Sequence, residues 1–186
     1  EMIGGMVDQN QLPTKADISQ WVVAMSVTDV EKAVALVAAA GGAVFTPATS
    51  LGDRGDIAVV ADPAGALLAL LQTRNGDPAD PADIQPRSGD FLWRELWTKD
   101  PQQAADFYRQ LAPFEETALT LPMADAQIDY RVLTTANRPR VGIRLTPVPQ
   151  MPPMWVSYLR VADKDELAVI LSKVPALGGD ILVPAV

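Results

Sequence analysis

The sequence repeats one short pattern, in which a tryptophan-bearing apolar stretch leads to an aspartate and then to a stretch with helical spacing. The pattern occurs at Trp21 with Asp29, at Trp93 with Asp100, and at Trp155 with Asp163. The first and third copies have the same spacing between tryptophan and aspartate, and each is followed by a pair of glycines. Internal repetition of this kind indicates that the chain is built from similar supersecondary units.

Each copy predicts a strand followed by a helix. The strands are predicted at residues 22–27, 92–98 and 156–161, where apolar and β-branched residues are concentrated. An aspartate at the start of a helix accepts hydrogen bonds from backbone N–H groups that have no partner inside the helix. Pro101 suits the first position of a helix, and Gln103 and Glu166 stand three residues after their aspartates, as in a capping box.

The first unit continues with three further predicted strands, at residues 43–46, 56–61 and 66–72. The glycine pair at residues 41–42 ends its helix, because glycine accepts the left-handed conformation that often closes a helix. The sequence Asp-Pro-Ala-Gly at residues 62–65 predicts a turn between the last two strands. The unit therefore has the order strand, helix, strand, strand, strand.

Residues 75–89 are rich in proline, aspartate and glycine and contain few apolar side chains. Such a composition is typical of a linker between folded units. We therefore predict a first domain over residues 1–74, a linker over 75–89 and a second domain over 90–186.

Composition restricts the chemistry. The formal net charge of −8 makes nucleic acid an unfavourable partner, because an acidic surface repels phosphates. The chain has no cysteine and no histidine, which excludes disulfides, thiolate chemistry and the most common metal ligand. No apolar run has the roughly 20 residues that a membrane span requires. We expect a cytoplasmic protein, with a periplasmic or lipid-anchored protein after leader removal as the alternative.

The segment FLWRELWTKDPQQAADFYRQL, at residues 91–111, resembles the opening module of the vicinal oxygen chelate superfamily, which includes glyoxalases and bleomycin-resistance proteins. Residues 21–72 resemble its closing module. The resemblance implies an α+β fold of paired βαβββ modules with curled mixed sheets around a cavity. It also implies a chain incomplete at both ends, since residues 1–20 resemble the tail of an opening module and 155–186 a shortened closing module. Another copy of the chain is expected to cover the exposed sheet edges, giving a homo-oligomer.

The resemblance also identifies where a metal would be bound in the enzymes of that superfamily. The corresponding positions of this sequence hold Val22, Ala69, Trp93 and Val156, whose side chains have no donor atom for a divalent cation. We therefore predict no metal site and no other cofactor.

The same resemblance predicts that a group of side chains points into the cavity of the second domain. These predicted ligand-binding residues are Trp93, Glu95, Trp97, Tyr130, Tyr158 and Arg160. Aromatic walls with one acid and one base suit a flat or amphipathic small molecule. Two alternatives stay open: the tryptophans could belong to a core or a dimer interface, and Glu95 could form a structural ion pair with Arg160.

Three functions follow from these observations. The first is a small-molecule-binding protein without catalytic residues, as in the bleomycin-binding members of the superfamily. The second is a lyase or dioxygenase whose metal is held by unusual ligands or by residues outside this chain. The third is a scaffold that serves only assembly. We favour the first, a binding protein without catalytic activity and with an unidentified ligand.

Overall fold

The computed structural model describes residues 20–77, 86–123, 126–148 and 150–184. The predicted module tail at the start of the chain lies outside these residues, as does the middle of the predicted linker. Within the described residues, no helix is long and apolar enough to cross a membrane.

The first sheet follows the predicted order of elements. Its members are β1 (Val23–Ser26), α1 (Val30–Ala39), β2 (Ala43–Ser50), β3 (Asp56–Ala61) and β4 (Leu67–Gln72). The strands are arranged β1-β4-β3-β2, with β1 parallel to β4 and the other pairs antiparallel. Strand β2 runs past Pro47, beyond its predicted end at residue 46. It tolerates this proline because it lies at the sheet edge and its pairing is irregular between Val44 and Thr49.

The second sheet repeats this arrangement with longer strands. Its members are β5 (Phe91–Thr98), α2 (Pro101–Leu111), β6 (Glu115–Met123), β7 (Ala126–Thr135), β8 (Arg138–Leu145) and β9 (Met154–Leu159), followed by α3 (Lys164–Lys173). The strand order is β6-β7-β8-β5-β9, with β5 parallel to β8. Strand β9 opens the third unit of the sequence repeat and pairs antiparallel with β5. The two mixed sheets of βαβββ-like modules confirm the predicted α+β class.

The helices begin where the aspartates predict. The side chains of Asp29, Asp100 and Asp163 accept hydrogen bonds from the backbone N–H groups of Lys32, Gln103 and Glu166, respectively. Helices α1 and α2 each bury an apolar stripe against a sheet, whereas α3 has no buried residue in the described structure. Phe107 and Tyr108 of α2 are buried in the core.

One hydrophobic core joins the two sheets. It contains Val37 of α1, Leu68 of β4 and Leu96 of β5, together with Tyr108 of α2 and Trp155 of β9. The core thus contains residues from both sides of the predicted linker. The division into two domains stays a prediction. So does the pairing of edge strands with another copy of the chain.

The repeated tryptophans differ in environment. Trp155 is buried beneath α2, where its ring contacts the Tyr108 ring edge-on at 5.4 Å. Trp21 is 59% exposed and contacts Phe91 at the start of β5, with 5.7 Å between ring centroids. A shared position in the repeat therefore does not give the two side chains the same packing role.

Candidate functional site

The face of the second sheet that points away from α2 carries a row of side chains across all five strands. Cross-strand pairing aligns Leu119 with Tyr130, Tyr130 with Arg144, Arg144 with Trp97, and Trp97 with Met154. Side chains alternate between the faces of a strand, so Glu95 and Trp93 share this face with Trp97, while Leu96 lies on the other. Leu96 is fully buried in the core. We call this surface, defined by Trp93, Glu95, Trp97, Tyr130, Arg144 and Tyr158, the aromatic face.

Glu95 is the polar centre of the aromatic face, and only 5% of it is exposed. One carboxylate oxygen, Oε2, accepts hydrogen bonds from Trp97 Nε1 at 2.6 Å and from the Tyr158 hydroxyl at 2.7 Å. The Tyr130 phenol lies close enough to Glu95 for the carboxylate charge to act on it. A buried carboxylate is tolerated when it accepts hydrogen bonds of this kind, and their geometry then fixes the Trp97 and Tyr158 rings relative to one acid.

Trp93 joins this cluster through Tyr130, whose hydroxyl accepts a hydrogen bond from Trp93 Nε1 at 2.8 Å. The two rings meet above Gly142 of β8. A Cβ atom at position 142 would lie 2.0 Å from the Tyr130 hydroxyl oxygen and 2.9 Å from Trp93 Nε1. The glycine therefore leaves the space in which the hydrogen bond between the rings forms.

The environment of the aromatic face raises the pKa of both its phenols. Burial is the main cause for Tyr130, followed by the effect of the neighbouring Glu95 carboxylate, so its pKa lies far above that of a free tyrosine. Burial and then the hydrogen bond to Glu95 raise the pKa of Tyr158 to about 12, against a smaller lowering effect of the Arg144 charge. Both hydroxyls thus keep their protons at neutral pH, and the Tyr158 hydroxyl donates a hydrogen bond to the carboxylate.

The titration of Tyr158 gives a direct test of this arrangement. We expect its phenol to ionise with a pKa of about 12, where a free tyrosine ionises near about 10. Because the pKa is higher in the folded state, the stability that this group contributes is present below about pH 10 and is lost as the pH rises towards about 12. Ultraviolet difference spectra of the wild type and Tyr158→Phe would isolate this titration. In Glu95→Gln the pKa should fall; an unchanged Tyr158 titration there would contradict the hydrogen bond.

The structure brings together five of the six predicted residues: Trp93, Glu95, Trp97, Tyr130 and Tyr158. Arg160 follows the end of β9 and is exposed, and its backbone pairs with Gly89 and Asp90. Among the described residues it forms no ion pair with Glu95, so that alternative does not hold, and its contact with a ligand stays a prediction.

Sequence reasoning missed Arg144, which lies in the row between Tyr130 and Trp97. Its charge acts on the Tyr158 phenol, so a positive group does accompany Glu95 on this face. The alternation along β8 carried the signal, because Gly142 and Arg144 are two residues apart and therefore share one face.

The arrangement does not fit a metal centre. Glu95 is a single carboxylate, and its Oε2 atom already accepts hydrogen bonds from Trp97 and Tyr158. In the described parts of the chain, no group of three or more acidic, cysteine or histidine side chains could hold a metal ion.

The chain resembles known proteins in sequence and in fold. No family model matches it. It is 30% identical over 162 residues to proteins named "Putative glyoxylase CFP32" from Mycobacterium bovis and Mycobacterium tuberculosis, covering 87% of this chain and 59% of theirs. The chain thus spans less than two thirds of the length of these relatives.

Two solved structures are also similar. One is a Mn(II)-bound glyoxalase from Novosphingobium aromaticivorans, with a TM-score of 0.49 and 18% identity, covering 84% of this chain and 51% of that one. The other is 2,2',3-trihydroxybiphenyl 1,2-dioxygenase from Sphingomonas wittichii strain RW1, with a TM-score of 0.49 and 18% identity, covering 87% and 60% of the two chains.

The repeated βαβββ-like modules define a glyoxalase-like α+β protein. The similarity to the mycobacterial relatives named as glyoxylases agrees with the resemblance of the sequence to the vicinal oxygen chelate superfamily.

Proposed function

We propose that this chain binds a small, flat and largely apolar molecule on the aromatic face, without the help of a metal ion. The observation that carries the proposal is the buried Glu95 carboxylate, which holds the Trp97 and Tyr158 rings by hydrogen bonds, beside the Tyr130 ring that is hydrogen-bonded to Trp93. Rings that are fixed before a ligand arrives lose little conformational freedom on binding, which favours affinity.

The exposure of the aromatic face supports a binding role over a purely structural one. Tyr158 is 37% exposed, and Leu119 and Leu121 on β6 are exposed to a similar extent. An apolar surface rimmed by polar groups commonly marks a binding site. Arg144 adds a positive charge beside the rings, so a planar molecule with an acidic or hydrogen-bond-accepting group suits the site best.

The identity of the relatives suggests an enzyme as the second candidate. Their name describes a glyoxylase, and in this superfamily such chemistry uses a metal to polarise oxygens of the substrate. Val22, Ala69, Trp93 and Val156 stand at the ligand positions that the resemblance identifies, and none of them carries a metal-binding atom. The binding function is therefore the better supported of the two.

Binding of 2-naphthoate, a planar anionic probe, tests the proposal by isothermal titration calorimetry. We expect saturable binding to the wild type and a dissociation constant about tenfold higher for Trp93→Leu, the loss expected for one ring contact. Phe45→Leu is the matched control, because Phe45 is a 60% exposed aromatic residue on the first sheet. Failure of the wild type to bind, or equal losses in the two variants, would contradict a site on the aromatic face.

Metal analysis of the purified protein tests the second part of the proposal. We expect substoichiometric metal, and addition of Mn²⁺, Zn²⁺ or Ni²⁺ should leave the affinity for 2-naphthoate unchanged. Near-stoichiometric nickel, zinc, manganese or iron in the protein as isolated would instead favour the lyase or dioxygenase alternative.

A further inference from the structure

A second buried polar cluster lies behind the aromatic face, on the α2 side of the second sheet. Asp62, in the turn between β3 and β4, is 3% exposed. Its Oδ1 atom accepts hydrogen bonds from the N–H groups of Ala64 and Ala66, and its Oδ2 atom accepts one from the Tyr108 hydroxyl at 2.9 Å. The Tyr108 hydroxyl in turn accepts a hydrogen bond from Trp155 Nε1 at 3.3 Å.

This cluster connects three elements that are distant in sequence. Asp62 belongs to the first sheet, Tyr108 to α2, and Trp155 to β9 of the second sheet. Burial raises the pKa of the Asp62 carboxyl, and the three donors partly offset that effect. The two backbone hydrogen bonds are enough to form the turn itself. The bond to Tyr108 additionally joins this turn to helix α2.

Strand β9 needs such an anchor. It lies at the edge of the second sheet and pairs with β5 alone among the described strands. Its pairing is regular from Met154 to Tyr158 but shifts between Phe91 and Trp93 on the partner strand, beside Tyr158. The helix that follows, α3, buries no residue. Beyond this point, backbone bonds of Arg160 with Gly89 and Asp90 hold the strand end.

Trp155 and Tyr158 stand at opposite ends of the same short segment of β9. Trp155 pairs with Leu96 and faces the core, whereas Tyr158 reaches Glu95 on the aromatic face. A shift of β9 that moved the Trp155 ring away from Tyr108 would therefore also move the Tyr158 hydroxyl relative to Glu95.

We propose that Asp62 and Tyr108 are positioning residues for the aromatic face, because they seat Trp155 and thereby hold Tyr158 against Glu95. The first sheet then sets the geometry of a surface to which it contributes no side chain. The expected effect on ligand affinity rests on the proposed function, whereas the expected effect on the position of Tyr158 does not.

Fluorine NMR of protein labelled with 5-fluorotryptophan tests whether Tyr108 controls the position of β9 relative to the aromatic face. The chain has four tryptophans, so each resonance can be assigned by a single replacement with phenylalanine. In Tyr108→Phe we expect the Trp155 resonance to move and the Trp97 resonance to move with it, because Trp97 pairs with Met154 of β9 and donates to Glu95. The Tyr158 phenol should titrate below its wild-type pKa of about 12.

The matched control is Val37→Ala, which opens a cavity in the same core without removing a hydrogen-bonding group of the buried polar cluster. It should leave the Trp97 resonance and the Tyr158 titration unchanged. Asp62→Asn provides a second variant if Tyr108→Phe does not fold, and it should move the same two signals. A change in the Trp155 resonance alone would overturn the proposal. So would changes of equal size in the Trp97 resonance and the Tyr158 titration of Val37→Ala.

Binding of 2-naphthoate to the same variants separates the two proposals. We expect the dissociation constant of Tyr108→Phe to rise about fivefold, within the range of indirect effects through packed side chains. If the NMR signals respond but no protein binds the probe, the positioning role stands and the proposed function fails. If the wild type binds and Tyr108→Phe binds equally well with unmoved Trp97 and Tyr158 signals, the positioning role fails.

Discussion

Gly142→Ala is expected to displace the Tyr130 ring and to break its hydrogen bond with Trp93. The added Cβ would lie 2.0 Å from the Tyr130 hydroxyl oxygen and 2.5 Å from Cζ, far inside van der Waals contact. Tyr130 is 8% exposed, so its ring has little room to move within the sheet face. Overpacking of this kind costs about 1–3 kcal/mol of folding stability.

The binding of 2-naphthoate should weaken in the same variant by about tenfold, because Tyr130 and Trp93 would no longer be held in place. Chemical denaturation measures the loss of stability, and calorimetric titration measures the loss of affinity. Adding Tyr130→Leu to Gly142→Ala removes the two closest of the three atoms that clash with the added Cβ and leaves Trp93 Nε1 at 2.9 Å. The double variant should therefore be more stable than Gly142→Ala, even though Tyr130→Leu alone destabilises. If the stability losses of Gly142→Ala and Tyr130→Leu simply add in the double variant, the role of Gly142 is not to leave space for the Tyr130 ring.

Gly55→Ala should be among the most destabilising single changes in the first sheet. Gly55 precedes β3 with a φ of 115°, in a region that residues with a side chain avoid. A Cβ there would lie 1.9 Å from the backbone oxygen of Gln72, so strand β4 would have to move. Gln72 also accepts a hydrogen bond from the Val30 N–H group through its side chain, so the displacement would reach the start of α1.

We expect a loss of more than about 3 kcal/mol, which corresponds to a fall in melting temperature of roughly 10 °C for a chain of this size. Gly52→Ala is the matched control, because Gly52 also has a positive φ, of 67°, but nothing lies within 4 Å of its added Cβ. That change should cost only about 1–2 kcal/mol. Equal melting temperatures for the two variants would mean that backbone conformation alone, and not contact with Gln72, limits position 55.

Local patterns predicted the features that depend on residues close together in the chain. Asp29, Asp100 and Asp163 cap their helices because a cap involves residues three positions apart. The common face of Trp93, Glu95 and Trp97 follows from the alternation of a single strand. These features were predictable because backbone geometry alone determines them.

Features that depend on long-range pairing were not predictable from one sequence. Tyr108 donates a hydrogen bond to Asp62, a residue 46 positions away in the sequence. Arg144 lies on the aromatic face, whereas Arg160 lies beyond the end of β9. The register of β8 and β9 against β5 decides which charged side chain lies beside Glu95. That register depends on the packing of whole strands, which no short motif encodes.

The buried contact of Asp62 with Tyr108 and Trp155 also has an evolutionary consequence. Loss of the Tyr108 hydroxyl alone would leave a buried carboxylate oxygen and a buried indole N–H without their partners, at a cost of about 1–3 kcal/mol for each. Replacing the set with apolar residues would avoid that cost. Among descendants of a common ancestor, positions 62, 108 and 155 should therefore change together, although they belong to three separate elements of the fold.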